Sequence, residues 1–342
     1  MQSVPVPVPV PSFAQPTFPG TSFAQAAEVI AGETGELRTV PLLPSRGLRA
    51  DHVAFTCAML PELPIEKGPR SWRVSQRPQI LTRRAWDTFE QDKDELESAW
   101  GNNVPLLTHA LGPLSLAVEL ELSNGHRMIT DRGAVRDLVE MLAEAIAREI
   151  STLRGRFQQP AAVHLYEPHL DALAQGSIPG THDFDAIRAI HRKDITEILQ
   201  RFVGIIRSKM QPEEQSMKHL RHIGLASEPS ETALEVMGAI GVDVVLLDLQ
   251  KVRGTQALDS CGALLASRIT PAFILGERNI SARQAAIQIA RRYDELGLDR
   301  SLLTAATATV PGTATGSLLE HAHRLGHARE CAAILVRDAG DL

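Results

Sequence analysis

Short apolar runs recur along this chain, and between them lie longer stretches whose apolar residues return every three or four positions. Residues 242–247, Val-Asp-Val-Val-Leu-Leu, form one such run, as expected of a parallel strand covered on both faces. Residues 217–223 alternate and then break at Gly224. The same reasoning predicts strands at 39–44, 104–110, 161–165, 270–277 and 302–307. Helical spacing is clearest over 131–154, where Ala134, Leu138, Met141, Leu142 and Ile146 share one face. Further helices are predicted at 49–60, 83–100, 184–209, 282–296 and 317–336. Another opens after Ser22, a suitable N-cap, and another at Gly112-Pro113, where proline fits the first turn.

Strand and helix therefore alternate seven or eight times with no long linker. In a chain of 342 residues this predicts one α/β unit, a single (β/α)8 TIM-type barrel over residues 13–342. An open doubly wound sheet is the alternative. Residues 1–12 carry a Pro/Val tract, extended and polyproline-like, and read as a flexible tail.

Composition narrows the function. Aromatic residues make up only 4%, and 35 Lys+Arg against 41 Asp+Glu give a net charge of −6, which argues against nucleic-acid or anionic-membrane partners. The three cysteines, Cys57, Cys261 and Cys331, lie too far apart for a CxxC motif or a disulfide framework. The N-terminus lacks the basic region of a signal peptide, and no run is long enough to span a membrane. A cytoplasmic protein is expected.

Parallel α/β folds bind ligands at the carboxyl ends of their strands, which singles out His222 and Asp248 after consecutive predicted strands. As a pair they could share a metal or act as acid and base. Glu167 stands at another strand end, between Tyr166 and Pro168. The loop Gly312-Thr-Ala-Thr-Gly316 precedes a helix but lacks a phosphate loop's lysine, and His323 and His327 lack the glutamate of a zincin motif. Those two read as an ordinary turn and a solvated helix face.

Several stretches together resemble the cobalamin-independent methionine synthase family, in a short actinobacterial form. They are Phe18-Pro-Gly-Thr, Gly112-Pro-Leu-Ser-Leu-Ala-Val-Glu-Leu-Glu, Arg127-Met-Ile-Thr-Asp-Arg-Gly-Ala-Val-Arg-Asp-Leu, the strand end Glu167-Pro168 and the region from Trp72 to Trp100. The resemblance spans about residues 17–338 and implies the catalytic barrel alone, of the methionine synthase and uroporphyrinogen decarboxylase-like kind. It implies methyl transfer to a thiol such as homocysteine, a methyl-folate or methyl-corrinoid donor, and a corrinoid protein as a partner of short forms. It also implies zinc, which would hold the substrate thiol as thiolate.

Carried over residue by residue, the zinc ligands divide. His222 matches the family's histidine and Asp248 stands for its glutamate, as metal candidates. The two cysteines fall on Gly224 and Pro311, so the zinc site reads as degenerate. On the substrate side, Thr17 retains a hydroxyl and Glu167 a carboxylate for an amino-acid ligand. Two readings follow from the resemblance: a methyltransferase, or a non-catalytic paralogue that binds a small amino acid or a protein partner.

Overall fold

The computed structural model describes residues 12–68, 70–180, 187–210, 223–276 and 280–342. Strand β1 (Arg38–Thr39) is followed by β2 (Ile65–Lys67) and β3 (Trp72–Val74), which with β5 (Leu120–Glu121) form a small separate sheet. The main sheet continues with β4 (Leu106–Leu111), β6 (Ala161–Tyr166), β7 (Ile223–Ala226), β8 (Val244–Leu247), β9 (Thr270–Ile274) and β10 (Thr307–Thr309). Its seven strands run parallel in the order β1-β4-β6-β7-β8-β9-β10.

The sheet is curled, and one segment near the N-terminus touches both of its edges. Ser12 bridges Ala308 of β10, while Thr17 bridges Leu42 just beyond β1. Threonines on the two edge strands reach into this segment. Thr39 donates its hydroxyl to the Ala14 carbonyl at 2.7 Å, and Thr309 donates to the Phe13 carbonyl at 2.8 Å. Ser12 itself is buried.

Helices cover the outside: α1 (Phe23–Glu33), α2 (His52–Ala58), α3 (Ile80–Trp100), α4 (Pro113–Glu119), α5 (Arg132–Phe157) and α6 (Leu170–Gln175) in the first half. The second half adds α7 (Arg192–Lys209), α8 (Glu231–Ala239), α9 (Thr255–Leu265), α10 (Ala282–Glu295) and α11 (Leu318–Asp338). Several begin at a Ser or Asp side-chain cap, Ser22 among them as expected. Ser22 accepts from the Gln25 N–H, Asp131 from those of Gly133 and Ala134, and Ser281 with Gln284 forms a reciprocal capping box. Among the described residues no helix is long and apolar enough to cross a membrane.

Strands β4, β7 and β8 are buried along their whole length, so each presents one apolar face to the helices and another to the inside of the curl. The larger core lies between sheet and helices. A smaller inner cluster holds Phe13, Leu37, Leu107, Ala162, Ala226, Val244, Leu246 and Ala272. Its small members leave space inside the curl for larger rings.

Three expectations shift. The run at 302–307 is a 3-10 helix over Arg300–Ala305, because the Asp299 side chain accepts the Ser301 N–H and turns the chain; the strand follows at Thr307–Thr309. The strand expected at 217–223 is described only from Ile223, and the rest lies outside the described residues. The one expected at 39–44 forms a strand only at Arg38–Thr39, with an isolated bridge from Leu42 to Thr17, before turning at Pro44–Arg46.

Between α3 and α5 a charged group is buried against its partner. Lys93, 4% exposed, lies 3.4 Å from Glu149, 8% exposed, and over the ring of Phe89. Burial pushes the Glu149 carboxyl up from 4.5 to about 7, and Lys93 only partly offsets this. A raised carboxyl favours the folded state when protonated, so its contribution is complete below about pH 4.5 and lost as pH rises through 7. Glu149→Gln mimics the protonated form. Relative to this variant, the native chain is expected to lose roughly 1–3 kcal/mol between pH 5 and pH 8 in denaturant unfolding. A pH-independent difference between the two proteins would contradict this.

Candidate active site at the carboxyl ends of the strands

The sheet register sets two histidines side by side inside the curl. His109 of β4 pairs with His164 of β6, and His164 pairs in turn with Gly224 of β7. Period-two alternation then sends their side chains inward with Leu107 and Ala162. His164 meets Phe13 edge to face at 4.7 Å between ring centres. Above them, α2 begins with His52, held by Asp51 as its N-cap. His52 Nε2 lies 3.1 Å from His109 Nδ1, and its ring stands 5.2 Å from that of Tyr166. Phe55, one turn further along α2, stacks on His109 with ring centres 4.1 Å apart.

His52, His109 and Tyr166 are shifted toward their neutral forms. Burial lowers His52 to about 4 and His109 well below the usual imidazole range, with His52 and His164 adding to the effect at His109. Burial also raises the phenol of Tyr166. Nε2 of His109 and the Tyr166 hydroxyl are buried without a hydrogen-bond partner among the described residues. Such orphaned polar atoms are unusual inside a fold and mark a place where water or a ligand can bind.

Glu167 follows Tyr166 and is fully buried. Its carboxylate accepts the Leu114 N–H at 3.0 Å on one oxygen and the Ser115 N–H at 2.8 Å on the other, at the start of α4. Gly112 is required beside it, since a Cβ there would lie 2.2 Å from Glu167 Oε1. Burial pushes the carboxyl up to about 7 against the lowering effect of these bonds. Below the same helix, His169 Nε2 lies 2.7 Å from Glu119, whose pKa is lowered mainly by that hydrogen bond.

Thr17 is half-buried at the opposite rim. Its carbonyl accepts the Thr313 N–H at 3.0 Å, and a Cβ on Gly312 would lie 3.0 Å from Thr17 Cβ. Thr17 and the Pro311-Gly312 turn, singled out separately in the sequence, are therefore neighbours. Asp248, half-buried just past β8, accepts the Gln250 N–H at 3.0 Å. His222 lies outside the described residues. Thr17, Glu167 and Asp248 all occupy strand ends, but none of the three bonds to another.

The described residues do not fit a zinc–thiolate centre. No three His, Cys, Asp or Glu side chains among them gather closely enough to hold a metal. Gly224 offers no donor, and the space its side chain would use is taken: a Cβ there would lie 2.2 Å from Cδ2 of His164. Cys57, Cys261 and Cys331 are buried free thiols on α2, α9 and α11. Burial raises all three, Cys331 to about 12 and Cys261 to about 11, far from the thiolate a metal needs.

The architecture has clear counterparts among solved structures. A methyltransferase from Methanosarcina mazei superposes with a TM-score of 0.55 at 14% identity, over 94% of this chain and 93% of that one. A B12-independent methionine synthase from a Shewanella species, in complex with selenomethionine, gives 0.55 at 10% identity over 98% and 99%. A putative B12-independent methionine synthase from Listeria monocytogenes gives 0.53 at 12% identity over 92% and 85%. The fold is shared. At these identities the likeness speaks for architecture alone. No protein-family model matches the chain, and no curated protein matches it in sequence.

His52, His109 and His164 were not among the candidate site residues that the sequence singled out. Alternation within 104–110 and 161–165 carried a signal for the two strand histidines. The place of His52 depends on how α2 docks on β4, and no local pattern records that.

Proposed function

We propose that this chain is a methyl-transfer-type (β/α)8 barrel, with the Ser12–Thr17 segment as its eighth strand and a small amino acid or thiol bound at the mouth. The observation that carries this is the meeting of His52, His109 and Tyr166 at the carboxyl ends of the strands, with His109 Nε2 and the Tyr166 hydroxyl buried and without a hydrogen-bond partner among the described residues. The likeness to methyltransferase and methionine synthase structures over more than nine-tenths of the chain supports methyl transfer as the chemistry. The acceptor in this reading is a thiol such as homocysteine, giving methionine, in the cytoplasm. The donor is a methyl-folate or a methyl-corrinoid, the latter carried by a corrinoid protein. The thiol would give up its proton to solvent and its sulfur would bond to the methyl carbon as the donor's bond to that carbon breaks, the leaving nitrogen taking up a proton or the corrinoid metal keeping the bonding electron pair.

The residues at the mouth bear on how that proton leaves. A thiol near 8.5 giving its proton to His52 near 4 is uphill by about 6 kcal/mol. The imidazoles therefore position and exclude water rather than generate thiolate, and Glu167 anchors α4 beneath the ligand. The reacting thiolate is then drawn from solution. Methionine formation from homocysteine and methylcobalamin, followed by mass spectrometry, is expected to rise about tenfold per pH unit from pH 6 to pH 8. A rate flat across that window would mean the protein activates the thiol itself.

The second reading is a barrel that binds a small amino acid without turning it over. It is favoured by the His164 ring filling the space beside Gly224 and by the burial of Glu167. Saturable binding of homocysteine with no methionine formed from either donor would select it.

A further inference from the structure

A cavity of about 270 Å³ lies between β9, α10 and the loop after β8, and it shares no residue with the imidazole cluster. It arises from how the outer helices pair. Helix α9 packs chiefly against α8, and α10 against α11, which leaves a cleft on the near side of α10. The floor is apolar, with Leu249, Phe273 and Ile289 among its residues. At roughly 30 Å³ per water it would hold about nine waters, or the ring of a small organic molecule.

The rim is cationic. Among the described residues Arg253, Arg291 and Arg292 border the cavity, with Glu295 as the carboxylate beside them. That carboxylate is already engaged by Arg292 at 2.7 Å. Arg253 and Arg291 are exposed and make no ion pair or side-chain hydrogen bond among the described residues, although nearly every other buried or half-buried charge discussed above has a partner. His327 also borders the cavity, but its Nε2 is bonded to the Ile280 carbonyl at 2.9 Å. The site thus carries two guanidinium groups that have no ion-pair partner among the described residues, above an apolar floor, on a protein whose overall charge is −6. Two planar donor forks beside a hydrophobic slot suit an anionic group on an apolar body.

We propose that this cleft binds a small organic anion, an apolar ring bearing a phosphate or a pair of carboxylates, at a site separate from the mouth of the barrel. The ring lies over Phe273 and Ile289, and the anionic group is held by Arg253 and Arg291.

Calorimetric titration of the full chain with phenyl phosphate, phthalate and inorganic phosphate tests this. Expected is saturable binding of phenyl phosphate or phthalate with a Kd on the order of 1 mM or tighter, and the arm that binds better identifies the anionic group. Inorganic phosphate should bind at least tenfold more weakly. The variant Arg253→Gln/Arg291→Gln, whose changes are on exposed side chains and whose folding is checked by thermal melting, should weaken binding at least tenfold. Raised salt should also weaken it. Absence of saturable binding in both organic arms, equal binding by the double variant, or inorganic phosphate binding as well as phenyl phosphate would each overturn the proposal.

Discussion

Replacing Glu167 with alanine is expected to lower the unfolding free energy by about 3–5 kcal/mol, the largest effect of any single change at the mouth. Both carboxylate oxygens are engaged by backbone N–H groups of Leu114 and Ser115, at the start of α4 where free N–H groups point outward. Alanine leaves those donors buried without acceptors and opens a void against Gly112. The loss should depend on pH. Because the folded pKa is raised from 4.5 to about 7, the native carboxyl contributes most when protonated and less as pH rises through 7. The difference between native and Glu167→Ala proteins should therefore be larger at pH 5 than at pH 8. Denaturant unfolding at the two pH values measures it, and a change under about 1 kcal/mol would show that Glu167 is not the anchor of α4.

Adding even a methyl group at Gly224 is expected to cost about 2–3 kcal/mol, since that carbon would lie 2.2 Å from His164 in a packed interior. The cysteine that the family resemblance places there would meet the same ring. His164→Ala alone removes a buried ring and is also destabilising. The double variant Gly224→Ala/His164→Ala should be more stable than the sum of the two losses by at least about 1 kcal/mol, because each change relieves the other. Additive losses in unfolding experiments would show that His164 does not occupy the space beside Gly224.

The α/β alternation could be read from the chain because it rests on local periods. The run at 242–247 is β8 nearly as expected, and Ser22 and Asp131 cap the helices they were expected to start. Elements too short to show a period were missed. Strands β2 and β3 have three residues each, with Ile65 and Trp72 buried. The segment 12–17 was hidden by its neighbouring Pro/Val tract, and its bonds come from threonine side chains far away in sequence. Glu167 and Asp248 follow the strands at whose ends the pattern placed them, whereas Thr17 was named only through the family resemblance. The imidazole cluster was harder to foresee. His109 and His164 belong to separate strands, and His52 reaches them only through the packing of α2 on β4. Gly224 shows the same limit from the other side: the sequence records a missing cysteine, whereas the ring that fills its space comes from 60 residues earlier.

In the proposed reading, imidazole and phenol groups line the mouth where the family resemblance implies a metal that holds the substrate thiolate. Zinc content tests this most directly, on protein purified without a metal-affinity tag and dialysed against a weak chelator. The account predicts well under one zinc per chain, unchanged in a His222→Ala variant. Close to one zinc per chain, lost when His222 is replaced, would contradict it and restore a metal-activated thiol as the reacting group.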